Sequence, residues 1–188
     1  MKKKISTSKD QIKLHLGTWM SLGLPIITEL ASEFSFNWLL FDLEHGCLQE
    51  SDLIPNLQAV RRKDTQIIVR VGSLDPSLIA RVLDWGASGI MMPHVSEPGK
   101  AIACINSMRY PPDGNRGYSG SVRAYSYGIK RPEDLKKIPK PQLFVQIEDY
   151  EGVQNADDIA RVKGVDVLFI GPSDLKHDLF IRLGENKN

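Results

Sequence analysis

The chain has 188 residues, of which 41% are hydrophobic and 25% are charged, and its formal net charge is +1. This composition is typical of a globular domain, and the low net charge argues against nucleic acid or an anionic membrane as a partner. No stretch approaches the roughly 20 apolar residues that a membrane-spanning helix needs. The basic opening at residues 1–4 is followed by polar residues rather than an apolar segment, which argues against a signal peptide. With two cysteines and no CxxC spacing, the cytoplasm is the expected location.

Short apolar segments, typical of buried parallel strands, alternate with longer segments of helical periodicity. The predicted strands cover residues 14–19, 38–42, 66–70, 89–92, 142–147 and 165–170. The predicted helices cover residues 25–34, 51–62, 76–85, 98–108 and 149–162, with a short extra helix at 132–138. Residues 110–128 are predicted to form a long loop, interpreted as following a parallel strand and as a candidate for function. Since no linker composition separates these parts, residues 1–188 are treated as one domain.

Repeated βα units predict parallel strands, either in an open sheet or in a barrel. No GxGxxG sequence follows a predicted strand, which lowers the case for a dinucleotide-binding sheet. Polar, charged or aromatic residues instead follow or end nearly every strand: Trp19, Asp42, Arg70, His94, Glu148 and Asp174. Barrel enzymes collect such residues at one rim, so the predicted fold is α/β of the TIM-barrel, (β/α)8 type, with about six of the eight units present.

The second predicted strand ends in two carboxylates, a histidine and a glycine. Imidazole titrates near neutral pH, so His45 is a candidate to move a proton, with Asp42 or Glu44 orienting it. The structural alternative is a strand-end histidine that is hydrogen-bonded to a backbone carbonyl.

An arginine, Arg70, ends the third predicted strand. A guanidinium at the end of an apolar strand is costly unless it is paired, and its planar fork suits a carboxylate or a phosphate. Two interpretations stay open: Arg70 binds an anionic substrate, or it forms an internal ion pair with Asp42 or Glu44.

Two carboxylates, Glu148 and Asp174, follow the fifth and sixth predicted strands. Neighbouring carboxylates that leave room for water and substrate suit Mg²⁺ or Mn²⁺. The alternative is helix capping, which we favour for Asp149 and leave open for Asp174. The residues Gly171, Pro172 and Ser173 can turn backbone N–H groups toward an anion, as helix N-termini do.

Weaker signals come from single residues near the predicted strand ends and helix ends. Asp84 closes the third helix, near the unfavourable end of its dipole, which indicates a partner. We expect His94 to be a hydrogen-bonded rim residue rather than a ligand, and Trp19 either to wall the pocket or to pack. Arg116, in the long loop, is placed to reach an anionic substrate.

Together these segments resemble the HpcH/HpaI aldolase family, the class II pyruvate aldolases, including hydroxy-oxo-heptanedioate aldolase and dehydro-deoxy-glucarate aldolase. The matching stretches occur in the family's order and cover nearly the whole chain: residues 17–19, 38–46, 69–70, 83–87, 109–117, 145–148 and 169–175. The resemblance implies a (β/α)8 barrel assembled as a hexamer, with a divalent cation (Mg²⁺, Mn²⁺ or Co²⁺) that activates pyruvate.

The resemblance also implies roles for individual residues. The metal ligands are Glu148 and Asp174, the catalytic base is His45 with Asp84 as its partner, and Arg70 holds the pyruvyl group. Further polar or substrate-contacting positions are Trp19, Asp42, Gln146, Gly171, Pro172 and Ser173. The implied reaction cleaves or forms the C3–C4 bond of a 4-hydroxy-2-oxo acid through an enolate, giving pyruvate and an aldehyde. No lysine ends a central strand, which argues against a Schiff-base aldolase.

The sequence departs from the family pattern after Leu175, where the family continues for roughly two more βα units of about 25–30 residues each. We therefore expect a barrel shortened at its carboxyl end. The alternative function is a catalytically inactive barrel remnant that acts only by association. A phosphate-binding barrel isomerase ranks lower, since the phosphate loops of such barrels usually follow strands seven and eight.

Overall fold

Six parallel strands and the helices between them make up residues 14–185, the part of the chain that this computed structural model describes. The basic opening at residues 1–4 lies outside the described residues. The strands are β1 (Gly17–Met20), β2 (Trp38–Asp42), β3 (Gln66–Arg70), β4 (Gly89–Met92), β5 (Gln142–Ile147) and β6 (Val167–Ile170). The helices are α1 (Pro25–Glu33), α2 (Glu50–Ala59), α3 (Pro76–Asp84), α4 (Pro98–Met108), α5 (Tyr150–Gln154), α6 (Ala156–Arg161) and α7 (Pro172–Glu185). Two short 3₁₀ helices, Arg123–Gly128 and Leu135–Lys137, lie between α4 and β5.

The strands form one sheet in the order β1-β2-β3-β4-β5-β6, and every neighbouring pair is parallel. The sheet is curled: Trp19 of the first strand contacts Phe169 of the sixth, with ring centroids 5.9 Å apart, although β1 and β6 are the two outer strands. The predicted α/β fold with six parallel strands is confirmed.

The sheet is apolar on both faces. One face packs against the helices, and the other is the concave face inside the curl. The large core packs between the sheet and the helices and includes Leu39, Phe41 and Val69. The smaller cluster fills the concave side with Leu40, Ile68, Met91 and Phe144. Successive residues of a strand point to opposite faces, so these sets alternate along each strand. Both faces are buried, which explains the continuous apolar segments of the sequence.

The ends of β1, β6 and α2 are shifted by up to three residues from the prediction, and three elements differ in kind. Residues 172–185 form the helix α7, which begins with Pro172 at a position where its fixed φ and missing N–H suit a helix. The single helix predicted at 149–162 is divided at Asn155, whose side chain donates a hydrogen bond to the Ser96 carbonyl at 2.8 Å. The extra helix predicted at 132–138 is one 3₁₀ turn.

No helix within residues 14–185 combines the length and the apolar character that crossing a membrane requires.

Candidate active site at the carboxyl ends of the strands

Strand alternation sends one set of polar side chains to the concave face of the sheet. Asp42 and Arg70 are direct partners in the β2–β3 register. They lie two residues beyond Leu40 and Ile68 of the inner cluster, and positions two apart share a face. The same alternation puts Gln146 of β5 on this face. The strand ends thus bring three polar groups together at the carboxyl edge of the curled sheet.

Arg70 is held by carboxylates on two sides. Its Nε and Nη2 each donate to one oxygen of Asp42 at 2.8 Å, and its Nη1 lies 2.9 Å from Oε2 of Glu44. Nη1 also donates to Oε1 of Gln146 at 3.5 Å, and the guanidinium carbon lies 4.7 Å from the Trp19 ring centroid. The internal ion pair that was open as an alternative is therefore present, with both carboxylates.

These contacts determine the charge states of the pair. Burial pushes the pKa of Asp42 upward, but the hydrogen bonds from Arg70 and from the His45 and Glu44 amides outweigh it, so this pKa lies below its ordinary value. Burial lowers the pKa of Arg70, and the two carboxylates more than compensate, so that its pKa is raised. Both groups are charged at neutral pH. The Trp19 ring packs against the Arg70 guanidinium, and Trp19 also lines an apolar pocket between β1 and α1.

Glu148 is a buried carboxylate with one oxygen left open. Its Oε1 accepts a hydrogen bond from the His94 amide at 2.6 Å. Its Oε2 is buried and has no hydrogen-bond partner among residues 14–185. Burial raises the pKa of Glu148, the charges of Glu44 and Asp174 raise it further, and the His94 contacts oppose this. A buried carboxylate oxygen without a partner is costly, so this oxygen is a candidate to receive a cation or a hydrogen-bond donor.

The start of α7 lies directly against this carboxylate. A Cβ on Gly171 would lie 2.4 Å from Oε2 of Glu148, so only glycine fits at this position. Asp174 is exposed in the first turn of α7 rather than at its N-cap. Pro172 and Ser173, also exposed, begin the same helix. By contrast, Asp149 does cap α5, since its side chain accepts from the Gly152 amide at 2.6 Å.

Glu148 and Asp174 fit a divalent cation in charge and in donor type. Glu148 offers a buried oxygen that has no partner among the described residues, and Asp174 lies close enough to raise the pKa of Glu148. Carboxylate oxygens suit Mg²⁺ and Mn²⁺. In the described part of the chain, no three His, Cys, Asp or Glu side chains gather around one point that could hold a metal. The two carboxylates would therefore leave most coordination positions to water or substrate.

His45 and Asp84 are not brought together within one chain. His45 follows β2, its ring is exposed, and its amide donates to Oδ1 of Asp42 at 3.3 Å. Asp84 is the last residue of α3, which runs back along the sheet to the amino ends of the strands. There Asp84 pairs with Arg116, at 2.5 Å from Nη2. The implied His45–Asp84 pair therefore spans opposite ends of the sheet.

The long loop at 110–128 lies elsewhere than the sequence interpretation put it. It follows the helix α4 rather than a strand, so it belongs to the amino ends of the strands. Arg116 is buried there, with its guanidinium carbon 4.7 Å from the Tyr110 ring centroid. The expectation that Arg116 reaches a substrate is therefore wrong for a site within one chain.

Two residues of the site were not chosen from the sequence. Glu44 was considered only as a partner for its neighbours, yet it joins Arg70 to His94, with 3.5 Å between its Oε1 and the His94 Nε2. His94 was expected to be a hydrogen-bonded rim residue, and it is one, but its partner is Glu148. Their positions in the sequence could have identified both residues, because Glu44 lies two residues after β2 and His94 lies two residues after β4, at the same edge of the sheet.

Comparisons with known proteins show which family the chain belongs to. The family model of the HpcH/HpaI aldolase/citrate lyase matches residues 15–185. A 5-keto-4-deoxy-D-glucarate aldolase of Escherichia coli is 39% identical over 163 residues, which cover 87% of this chain and 64% of that protein. The corresponding aldolase of Citrobacter koseri is 38% identical, over 87% of this chain and 63% of its own length. The chain thus spans slightly less than two thirds of these curated relatives.

A solved structure gives the same result. The HpcH/HpaI aldolase/citrate lyase family protein of Burkholderia cenocepacia has a TM-score of 0.82 and 34% sequence identity, with 88% of this chain and 66% of that chain covered. Residues 15–185, which the family model matches, include every strand of the sheet and the residues of the candidate site. The chain belongs to the HpcH/HpaI aldolase/citrate lyase family.

Proposed function

We propose that this chain carries the pyruvate site of a metal-dependent aldolase, a carbon–carbon lyase that splits or forms 4-hydroxy-2-oxo acids. Its six strands would be six units of an eight-unit barrel. The observation that carries the proposal is the buried Oε2 of Glu148, which has no hydrogen-bond partner within residues 14–185 and lies at the same strand ends as Arg70 and its partners Asp42 and Glu44. The family relationship supports the reaction class.

Glu148 and Asp174 would hold the divalent cation, with Mg²⁺, Mn²⁺ and Co²⁺ as candidates. When bound, the cation supplies Lewis-acid stabilisation for the negative charge on the keto oxygen of a 2-oxo acid, a contribution of several kcal/mol. The buried Glu148 is suited to this role because the surrounding low dielectric strengthens its attraction to a cation.

Arg70 would hold the growing negative charge of the enolate from the other side. Its fork is already fixed by Asp42 and Glu44, so it needs no reorganisation during the reaction. Trp19 on its flank and Gln146 at Nη1 restrict the guanidinium further.

His45 would move the proton. Its exposed ring follows β2 at the rim, where it can take the 4-hydroxyl proton in cleavage and return it in synthesis. In the first turn of α7 the backbone N–H of Ser173 would be offered to the pyruvate carboxylate, because Pro172 has no N–H and the Gly171 N–H donates to the Ile147 carbonyl at 2.9 Å. In this proposal, the loops at the carboxyl ends of the strands, outside these residues, determine which aldehyde is accepted.

The resemblance also implies a homo-oligomer, which we include in the proposal. Asp84 lies at the amino ends of the strands, so it can serve a His45 only if that histidine belongs to another copy. Light scattering of the purified chain tests the assembly, and Asp84→Asn should lower turnover only where copies associate. For the catalytically inactive remnant, the described residues offer no specific support.

The test is exchange of pyruvate methyl protons with D₂O, followed by NMR in Mg²⁺ and then in EDTA. We expect exchange that EDTA stops and that Glu148→Gln lowers by about 100-fold or more, since several kcal/mol of charge stabilisation is lost. This measurement needs no knowledge of the aldehyde.

The matched control is Glu151→Gln, which removes an exposed carboxylate from the first turn of α5. It should exchange protons like the original chain. If Glu148→Gln also kept full, EDTA-sensitive exchange, the assignment of the site would be wrong.

A further inference from the structure

His94 has a backbone conformation that is uncommon for a residue with a side chain. It lies in the short connection between β4 and α4, with a φ of 51° in the left-handed region. Few non-glycine residues adopt such values, and those that do are often held there by surrounding contacts at functional sites. The reaction proposed above assigns His94 no role.

The connection that carries His94 is fixed from behind. Lys100 in the first turn of α4 donates through Nζ to the carbonyls of Pro93 at 2.9 Å and His94 at 3.0 Å. The next amide, of Val95, donates to the Gln146 carbonyl at 3.1 Å. These contacts hold the peptide of His94 against β5, the strand that leads to Glu148.

From this position His94 reaches one oxygen of Glu148 twice. Its amide donates to Oε1 at 2.6 Å, and its ring Nδ1 lies 3.2 Å from the same oxygen. The other ring nitrogen, Nε2, lies 3.5 Å from Oε1 of Glu44, which in turn pairs with Arg70. The ring thus joins the Glu148 carboxylate to the arginine cluster.

The two contacts make the oxygens of Glu148 unequal. Oε1 is engaged by His94, whereas Oε2 stays without a partner among residues 14–185 and faces the backbone of Gly171. A carboxylate whose rotation is blocked in this way presents one chosen oxygen. Partners of metal ligands commonly work by fixing ligand orientation.

We propose that His94 is a positioning residue, which holds Oε1 of Glu148 so that Oε2 is the oxygen presented to the divalent cation. The inference rests on the proposed function, since it needs Glu148 to be a metal ligand. His94 itself touches neither cation nor substrate in this assignment.

The experiment measures Mn²⁺ affinity of the purified chain by electron paramagnetic resonance, without substrate. His94→Gly removes the ring but keeps the amide and tolerates the left-handed backbone. We expect its Mn²⁺ dissociation constant to rise roughly tenfold, the lower end of the effect usual for such partners. His94→Asn, which also tolerates this backbone and restores a short donor, should recover part of the affinity.

His15→Ala is the matched control, since His15 is exposed before β1. It should bind Mn²⁺ with the original affinity. Far-UV circular dichroism and the urea midpoint of each variant identify loss of fold. At saturating Mg²⁺, pyruvate proton exchange by His94→Gly should return to the original rate, whereas a general structural defect lowers it at every Mg²⁺ concentration.

The outcomes separate the two proposals. If His94→Gly binds Mn²⁺ as tightly as the original chain while Glu148→Gln does not bind, the positioning role is overturned and the metal site stands. If the original chain itself shows no Mn²⁺ binding that depends on Glu148, the proposed function fails and the role of His94 fails with it.

Discussion

A buried arginine meets an aspartate at each end of the sheet, and the two ends differ in what surrounds that pair. At the carboxyl ends, Arg70 pairs with Asp42 and Glu44, and all three side chains are at most 9% exposed. At the amino ends, Arg116 pairs with Asp84, whose side chain is 20% exposed, and stacks on Tyr110. The residue types in the two pairs are the same. The groups around them differ: further positive charge lies near the pair at the amino ends, and further negative charge lies near the pair at the carboxyl ends.

At the amino ends of the strands, an arginine caps the carboxyl ends of two helices. Arg123 donates to the carbonyls of Trp85 at 2.5 Å and Leu57 at 3.4 Å, near the carboxyl ends of α3 and α2. Carbonyls at these ends attract cations, so arginines there are stabilising without any ligand.

At the carboxyl ends, the negative charges of the carboxylates are not balanced by positive charges. Three carboxylates, of Asp42, Glu44 and Glu148, lie near the guanidinium of Arg70, and Asp174 lies near Glu148. One buried carboxylate oxygen has no partner in the described part of the chain. The comparison teaches that a buried arginine alone does not mark a site. The unsatisfied acidic charge beside it does.

The largest difference between the two ends should come from removing each arginine. Arg70→Met leaves two buried carboxylates unpaired, so we expect a loss of roughly 3–5 kcal/mol in the free energy of unfolding and no pyruvate proton exchange. Arg116→Met leaves Asp84, which water can reach, so the loss should be about 1–3 kcal/mol with exchange retained. Urea unfolding and the NMR exchange assay measure both.

Arg70→Lys guards against a variant that fails to fold, because it keeps the charge but not the planar fork. It should fold and still exchange protons poorly. Equal losses of stability for the two methionine variants would contradict the contrast between the ends.

A methyl group added at each end sharpens the comparison further. Gly171→Ala brings a Cβ to 2.4 Å from Oε2 of Glu148, so we expect Mn²⁺ affinity to fall roughly 10–100-fold. At the amino end, Gly164 has a φ of 118°, and Gly164→Ala should cost about 1 kcal/mol of stability or more through backbone strain, without changing Mn²⁺ affinity.

Electron paramagnetic resonance and urea unfolding separate these two effects. An unchanged Mn²⁺ affinity in Gly171→Ala would show that Oε2 does not face the cation.

Much of the fold could be predicted because the sheet is buried on both faces. The strands β2 to β5 occur at the predicted residues, since a continuous apolar segment bounded by polar residues leaves little choice. Helix α7 was not predicted. Its apolar residues Leu175, Leu179 and Leu183 recur every four residues, but Phe180 and Leu183 on this stripe are 76% and 64% exposed, so the stripe packs against no core within residues 14–185.

The site divides in a similar way. The Arg70–Asp42 pair could be anticipated, because both residues end neighbouring strands and parallel register brings strand ends together. The position of Arg116 could not, because it depends on which end of the sheet a loop occupies after a helix. The left-handed backbone of His94 could not either, because it is imposed by Lys100 and β5 rather than by local sequence.

The smallest expected effect is a pH dependence of stability that belongs to the carboxyl end. The pKa of Asp42 in the folded chain lies below its ordinary value, because Arg70 and two amides outweigh its burial. Between these two pKa values the unfolded chain binds more protons, so stability rises with pH. The contribution of Asp42 is therefore complete above about pH 5 and is lost as the pH falls through the folded-state pKa.

Asp42→Asn should remove this contribution and flatten the decline of the urea midpoint from pH 5 to pH 3. One proton limits the difference in slope to about 1.4 kcal/mol per pH unit. Asp84→Asn at the amino end provides the matched comparison, measured over the same range. A decline as steep in Asp42→Asn as in the original chain would mean that other carboxylates carry the acid sensitivity. The Arg70 pair would then hold the geometry of the site without controlling the stability of the sheet.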